Sequence, residues 1–174
     1  MAHTAILIAG SPTANSRSTS VLEAIGRELV KRGWETRSYS VNSFPSDALL
    51  HGRFDAPEVV RFAADIKSAS ALLFSTPVYK ATYAGALKVI VDLIDPKALA
   101  GKALLGIATA RLEAHLAEVD VSFQRLYAFF AGALPLQTLA LLDPQLGPPG
   151  ELRLDAAAQQ SFETAVSRLV GAVA

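Results

Sequence analysis

Residues 5–142 alternate short strand-like segments with longer stretches of helical period, and that alternation leaves few architectures open. Ala5-Ile6-Leu7-Ile8-Ala9 is a continuous apolar run that stops at Gly10-Ser11-Pro12. A run of that kind fits a strand buried on both faces, as in a parallel sheet. Val21, Leu22, Ile25 and Leu29 then recur at helical spacing, and cations with a glycine at Lys31-Arg32-Gly33 mark the helix end. Trp34–Val41 predicts a second strand, Ala71–Ser75 a third stopped by Thr76-Pro77, Lys102–Ala108 a fourth and Leu136–Leu142 a fifth. Helices are expected from Pro57 to Lys67, over Gly85–Ile94, over Leu112–Phe130, and from an Asp155 cap to about Val173. Phe44–Asp55 reads as a loop with one helical turn, and the Pro- and Gly-rich Asp143–Gly150 as a loop.

The order predicts an α/β fold, a five-stranded parallel sheet with helices on both faces. The chain has 174 residues, 51% of them hydrophobic, with no repeat and no long linker, so residues 1–174 are expected to form one domain. Pattern alone leaves two strand orders open, the flavodoxin-like one and the dinucleotide-binding one.

Several function classes lose their support here. The formal charge is zero, with no basic block, so no nucleic acid partner is expected. There is no cysteine, which removes disulfides, thiolate zinc sites and thiol nucleophiles, and the three histidines form no ligand pair. The N-terminus lacks a basic leader segment and the apolar runs fall short of a membrane span, which reads as a cytoplasmic protein without a membrane partner. A neutral, rather apolar chain is also expected to self-associate.

Ligands of open α/β sheets bind beyond the carboxyl ends of the strands, which directs attention to three loops. Gly10–Ser20 follows the first strand and carries Ser11, Ser16, Arg17 and Ser18. Hydroxyls, one arginine and the amides of a helix N-terminus can converge on a phosphate. Neither Gly-x-x-x-x-Gly-Lys nor Gly-x-Gly-x-x-Gly is present. A serine-rich helix cap without further function would look much the same. Ser75–Gly85 offers Thr76, Pro77, Val78, Tyr79 and Tyr83, apolar walls with backbone groups for a flat ring, or else a core or oligomer contact. Ala108–His115 offers Thr109, Ala110 and Arg111, with Glu113 and with His115 as a candidate base or an ordinary surface histidine. The stripe Phe123, Leu126, Tyr127 and Phe130 has helical spacing and reads as core or subunit interface, and Lys88, Asp92 and Asp95 read as solvated.

Taken together these segments resemble the NADPH-dependent FMN reductase family, most of all the flavin reductases that supply reduced FMN to alkanesulfonate monooxygenases. The matching stretches are Ala9-Gly10-Ser11-Pro12 with Ser16-Arg17-Ser18, Leu49-Leu50 with Arg53-Phe54-Asp55, and Thr76-Pro77-Val78-Tyr79-Lys80-Ala81 with Tyr83 and Gly85-Ala86-Leu87-Lys88. Asp92-Leu93, Ala98-Leu99, Gly101-Lys102, Ala108-Thr109 and Ala114-His115-Leu116 continue the likeness. The resemblance implies a flavodoxin-like fold, FMN, NADPH or NADH as hydride donor, and a homodimer or homotetramer. It implies that Ser11, Ser16, Arg17 and Ser18 hold the FMN phosphate. Thr76, Pro77, Val78 and Tyr79 would line one side of the flavin, and Thr109, Ala110 and Arg111 the other. The implied function is hydride transfer to FMN with supply to a two-component monooxygenase. A quinone or azo reductase, or a flavin-binding protein without turnover, is the alternative. The chain departs from the family twice, carrying Ala110-Arg111 where a Gly-Gly pair is usual and Val121 where the alkanesulfonate-linked group has a tyrosine.

Overall fold

The computed structural model of the chain describes residues 3–13 and 15–173. A seven-stranded sheet forms its centre, where the pattern predicts five strands. The strands are β1 (Thr4–Ala9), β2 (Glu35–Ser40), β3 (Ala71–Tyr79), β4 (Thr82–Tyr83), β5 (Ala103–Ala110), β6 (Leu134–Pro135) and β7 (Leu139–Leu142). β2, β1, β3 and β5 lie side by side in that order, all parallel, and β6 and β7 both run parallel along the outer side of β5.

The extra strands have local causes. Of the expected fifth strand, Leu136–Leu142, regular pairing starts only at Leu139 opposite Ile107; the short β6 lies ahead of it, and between the two Leu136 donates to the Leu104 carbonyl at 2.8 Å. β4 arises because β3 does not stop at Pro77 but runs on to Tyr79 and turns back on itself. β1 ends at Ala9 opposite Ser75, so Pro77 has no β1 carbonyl opposite it and the missing proline N–H breaks no bond to β1. β5 likewise runs two residues further than the sequence pattern indicates, to Ala110.

Helices α1 (Arg17–Lys31) and α6 (Ala156–Val173) cover one face, and α3 (Pro57–Ser68), α4 (Gly85–Val91) and α5 (Glu113–Phe129) the other. A single turn, α2 (Ser46–His51), falls inside the stretch expected to hold one. Alternate strand residues sort between the faces. Ile6, Ile8, Leu72, Phe74 and Leu104 pack with Phe62, Leu87, Ile90 and Phe123. Leu7, Leu73, Leu105 and Ile107 pack with Val21, Ile25, Leu29, Phe162 and Leu169. Burial on both faces is why these strands read as unbroken apolar runs. Pro57 opens α3, and Asp155 accepts from the Ala158 amide at 2.8 Å ahead of α6, as the cap signals require.

The aromatic stripe of α5 belongs to the core, with Phe123, Tyr127 and Phe130 buried. Gly106 makes room for it in mid-strand: a Cβ there would stand 2.7 Å from Tyr127 Oη and 2.9 Å from the Phe123 ring. Tyr127 Oη itself is buried without a hydrogen-bond partner among the described residues, and burial, with Asp120 adding to it, pushes its pKa well above the ordinary value of 10.0. Tyr39 is pushed up to about 12, by burial first and then by its hydrogen bond to Asp65. Both phenols stay neutral in the folded chain where an unfolded chain would ionise them. Stability is therefore complete below about pH 10 and declines as the pH rises beyond it. Tyr127→Phe removes an unsatisfied hydroxyl, so it is predicted to match the parent or exceed it by about 1–2 kcal/mol at neutral pH. It should also lose less stability between about pH 9 and about pH 11, by at most about 1.4 kcal/mol per pH unit for the one proton involved. Urea unfolding at both pH values checks this, and a variant clearly weaker than the parent would mean the hydroxyl has a partner.

Candidate functional site

The parallel ladder sets Ala9 beside Ser75 and Ser75 beside Ile107, so β1, β3 and β5 deliver their chain exits to one edge of the sheet. The three segments singled out in the sequence meet there. Two of them are strand ends rather than loops: Thr76–Tyr79 closes β3, and Thr109-Ala110 closes β5, with Pro77 directly opposite Thr109.

At the first segment Ser16 holds the N-cap position of α1 with extended backbone (φ −115°, ψ 136°), yet its hydroxyl does not cap the helix. It shares a buried hydrogen bond with Ser18 Oγ at 2.9 Å. The amides of Arg17, Ser18 and Thr19 belong to the opening turn and have no carbonyl one turn behind them. Free first-turn amides, a helix dipole and two buried hydroxyls suit an anion. Ser11 is buried too, but its hydroxyl bonds Thr13 Oγ1 at 3.1 Å, and with Thr19 it lines a cleft of about 230 Å³ that extends toward β2 and Tyr39. Ala14 of this loop lies outside the described residues.

Arg17 is held from the far end of the chain. Its Nε donates to the Gly147 carbonyl at 2.8 Å and a terminal nitrogen lies 3.6 Å from the Asp143 carboxylate. Sequence reading passed over both partners, since Asp143–Gly150 looked like a plain Pro/Gly loop. Remaining guanidinium N–H groups are still open to a phosphate, because the fork has five donors.

The second segment forms a hairpin. Val78 pairs with Tyr83 and Tyr79 with Thr82, leaving Lys80 and Ala81 as a two-residue turn with φ 53° and 62°. Both central residues are left-handed, as in the mirror-image turn that normally calls for Asn-Gly. Holding two residues with a Cβ there costs on the order of 1–2 kcal/mol each. Thr76, fully buried, braces the hairpin base by accepting from the Ala84 amide at 2.9 Å. Thr82 Oγ1 donates to Ser122 Oγ at 3.1 Å, and Tyr83 packs on Phe123 with ring centroids 5.9 Å apart. Tyr79 is 48% exposed at the strand end. Four residues earlier on β3, Ser75 Oγ is buried with no hydrogen-bond partner among the described residues.

At the third segment Thr109 and Ala110 are buried, while Arg111, Leu112, Glu113 and His115 are exposed where α5 begins. The edge as a whole offers an anion seat, apolar surface from Pro77, Val78 and Tyr79, and backbone at two strand ends. That is the ligand-binding end of a flavodoxin-like protein, whose strand order this sheet reproduces when β6 and β7 are taken as one position. Residues 4–145 match the NADPH-dependent FMN reductase family, and the chain belongs to it.

Among relatives, an FMN reductase (NADPH) of Pseudomonas putida is 40% identical over 141 residues, 81% of this chain and 72% of that protein. An FMN reductase (NADPH) of Escherichia coli is 40% identical over 119 residues, 68% of this chain and 62% of that protein. The chain therefore spans about two thirds of the length of these two relatives. In fold it is similar to the apo form of an NADH:FMN oxidoreductase (EMOB), with a TM-score of 0.90 at 24% identity over 99% of this chain and 90% of that one.

The residues present fit FMN. An uncapped helix N-terminus with buried hydroxyls matches a phosphate, and an exposed tyrosine with proline and valine matches a ring. The fit is narrower than the sequence implied in two respects: the Ser11 hydroxyl is bonded to Thr13 in a cleft that Ser16 and Ser18 do not line, and Arg17 is partly committed to Asp143 and Gly147.

Proposed function

We propose that this chain is an NAD(P)H-dependent FMN reductase whose site is the shared edge of β1, β3 and β5. The observation that carries this reading is Ser16, which occupies a cap position and leaves the helix uncapped while pairing with Ser18. Ser16, Ser18 and the first-turn amides of α1 hold the phosphate of FMN, with Arg17 adding charge-assisted bonds and Ser11 closing the loop. Thr76, Pro77, Val78 and Tyr79 line one side of the ring, and Thr109, Ala110 and Arg111 the other. Bound FMN supplies the hydride acceptor, so the protein needs no acid or base of its own and its task is to place and orient two ligands. The ladder bond of the Gly10 amide to the Ser75 carbonyl, at 2.7 Å, keeps the phosphate seat and the ring wall at a fixed separation.

On this reading the chain is one FMN-binding domain that works in the cytoplasm and hands reduced FMN to a two-component monooxygenase. Among the described residues no helix is long and apolar enough to cross a membrane. A second copy of the chain is proposed to cover the apolar cleft between α3, α4 and α5, about 740 Å³, where Phe54 is 62% and Phe129 68% exposed. The expected solution species is a homodimer or homotetramer, and a monomer mass by sedimentation velocity at micromolar concentration would contradict it.

Flavin fluorescence quenching tests the site directly. FMN is predicted to bind more tightly than riboflavin. Arg17→Ala should weaken FMN by about 1.5–3 kcal/mol, the range for hydrogen bonds to charged groups, and leave riboflavin nearly unchanged. Equal affinities for the two flavins would remove the phosphate assignment. Equal losses for both in the variant would mean that Arg17 only secures α1 to Gly147.

A further inference from the structure

Among the described residues seven cations have a carboxylate beside them: Arg17 has Asp143, Lys31 and Arg32 share Glu28, Arg37 has Asp65, Arg53 has Asp47, Lys88 has Asp92 and Arg153 has Glu151. The other nine have none: Arg27, Arg61, Lys67, Arg125 and Arg168 lie within helices, Lys97 and Lys102 lie just ahead of β5, and Arg111 and Lys80 stand at the ligand edge. Both leave the sheet from neighbouring strands. Pro77 opposite Thr109 is the last pair of the β3–β5 register, Arg111 follows two residues after Thr109, and Lys80 begins the turn three residues after Pro77.

The turn supplies an independent observation. Lys80 and Ala81 are both left-handed, without glycine or asparagine to relieve them. The hairpin that imposes this is braced by Thr82 on Ser122 and Tyr83 on Phe123. Strain retained in a braced element at a ligand edge points to a use for the residue it positions. Lys80 is therefore carried on a strut that projects past the end of the sheet. At the end of the neighbouring β5, Arg111 is exposed next to the buried Ala110.

We propose that Arg111, assisted by Lys80 on the adjoining hairpin tip, recognises the additional phosphate on the adenosine ribose of NADPH and so sets the choice between the two reduced nicotinamides. The inference rests on the FMN reductase reading, which brings the dinucleotide to this edge. NADPH and NADH differ only in that phosphate, a group of nearly two negative charges at neutral pH. A guanidinium can engage it through two parallel N–H bonds, and a lysine adds a second charge. Arg17, the other arginine of the edge, is tied to Asp143 and Gly147 and stands at the flavin phosphate seat. Glu113 is an exposed acid two residues from Arg111, so the preference depends on the cations outweighing it.

Calorimetric titration with 2′-phospho-ADP-ribose and with ADP-ribose tests this without turnover, since neither probe carries a nicotinamide. The FMN-loaded protein should bind the 2′-phosphorylated probe about tenfold or more tightly than ADP-ribose. Arg111→Gln should bring that ratio close to one. Arg111→Lys should keep part of it, and Lys80→Gln should lower it less than Arg111→Gln does. Equal binding of the two probes by wild-type protein overturns the proposal. So does an Arg111→Gln variant that weakens both probes by the same factor, because the residue then serves the diphosphate they share. A variant that loses FMN affinity while keeping the probe ratio also overturns it. If wild-type protein binds no FMN, the reductase reading beneath the proposal fails, and that result is distinct from equal probe binding by a protein that does hold FMN.

Discussion

At Gly10 the backbone amide donates to the Ser75 carbonyl at 2.7 Å, and the space a Cβ would need is already filled, with Leu87 Cβ and that carbonyl each 2.5 Å away. Only a residue without a side chain lets β1 leave the sheet so close to β3 and to the first turn of α4. Much else follows from this crossing. It holds the loop of Ser11 and Ser16 against the strand end that carries Thr76 and Tyr79. Through the Ser75–Ile107 pairing it also sets both level with the end of β5. A site made of three separate chain segments keeps one geometry because each is anchored within a residue or two of a ladder bond.

The layered architecture was legible because burial on both faces leaves a plain trace. Ala5–Ala9, Ala71–Phe74 and Ala103–Leu105 are apolar at every position, and Val21, Leu22, Ile25 and Leu29 mark the covering helix. The strand ends were not legible. Thr76-Pro77 looks like a terminator, yet β1 has already stopped there, so no β1 carbonyl requires the missing N–H and the strand runs on into the hairpin. The left-handed Lys80-Ala81 turn has no glycine to announce it, since it is imposed by the pairs Val78–Tyr83 and Tyr79–Thr82 rather than by local preference.

Within the site, the residue types were readable and their engagements were not. Ser16 and Ser18 were expected at a phosphate, and the structure adds that they bond each other in a buried pair. Arg17 was expected to be free for a ligand, whereas its Nε is held by a carbonyl 130 residues further along the chain. That distance is beyond any local pattern. It also pre-orients the guanidinium, which limits the freedom lost when an anion binds. The replacement of a glycine pair by Ala110-Arg111 was visible in the sequence. What the structure contributes is that Ala110 is buried in β5 and only Arg111 reaches solvent.

The central claim is that flavin sits on the shared edge of β1, β3 and β5. Backbone amide chemical shifts of the isotope-labelled protein, followed during addition of FMN, test it most directly. The largest changes are expected at residues 10–19, 76–83 and 109–112, with the Arg17, Ser18 and Thr19 amides moving for FMN and much less for riboflavin. Changes concentrated instead around the polar cleft of Gln137, Gln160 and Arg168, or along Ser38–Ser43 beside β2, would place the flavin elsewhere and contradict the assignment.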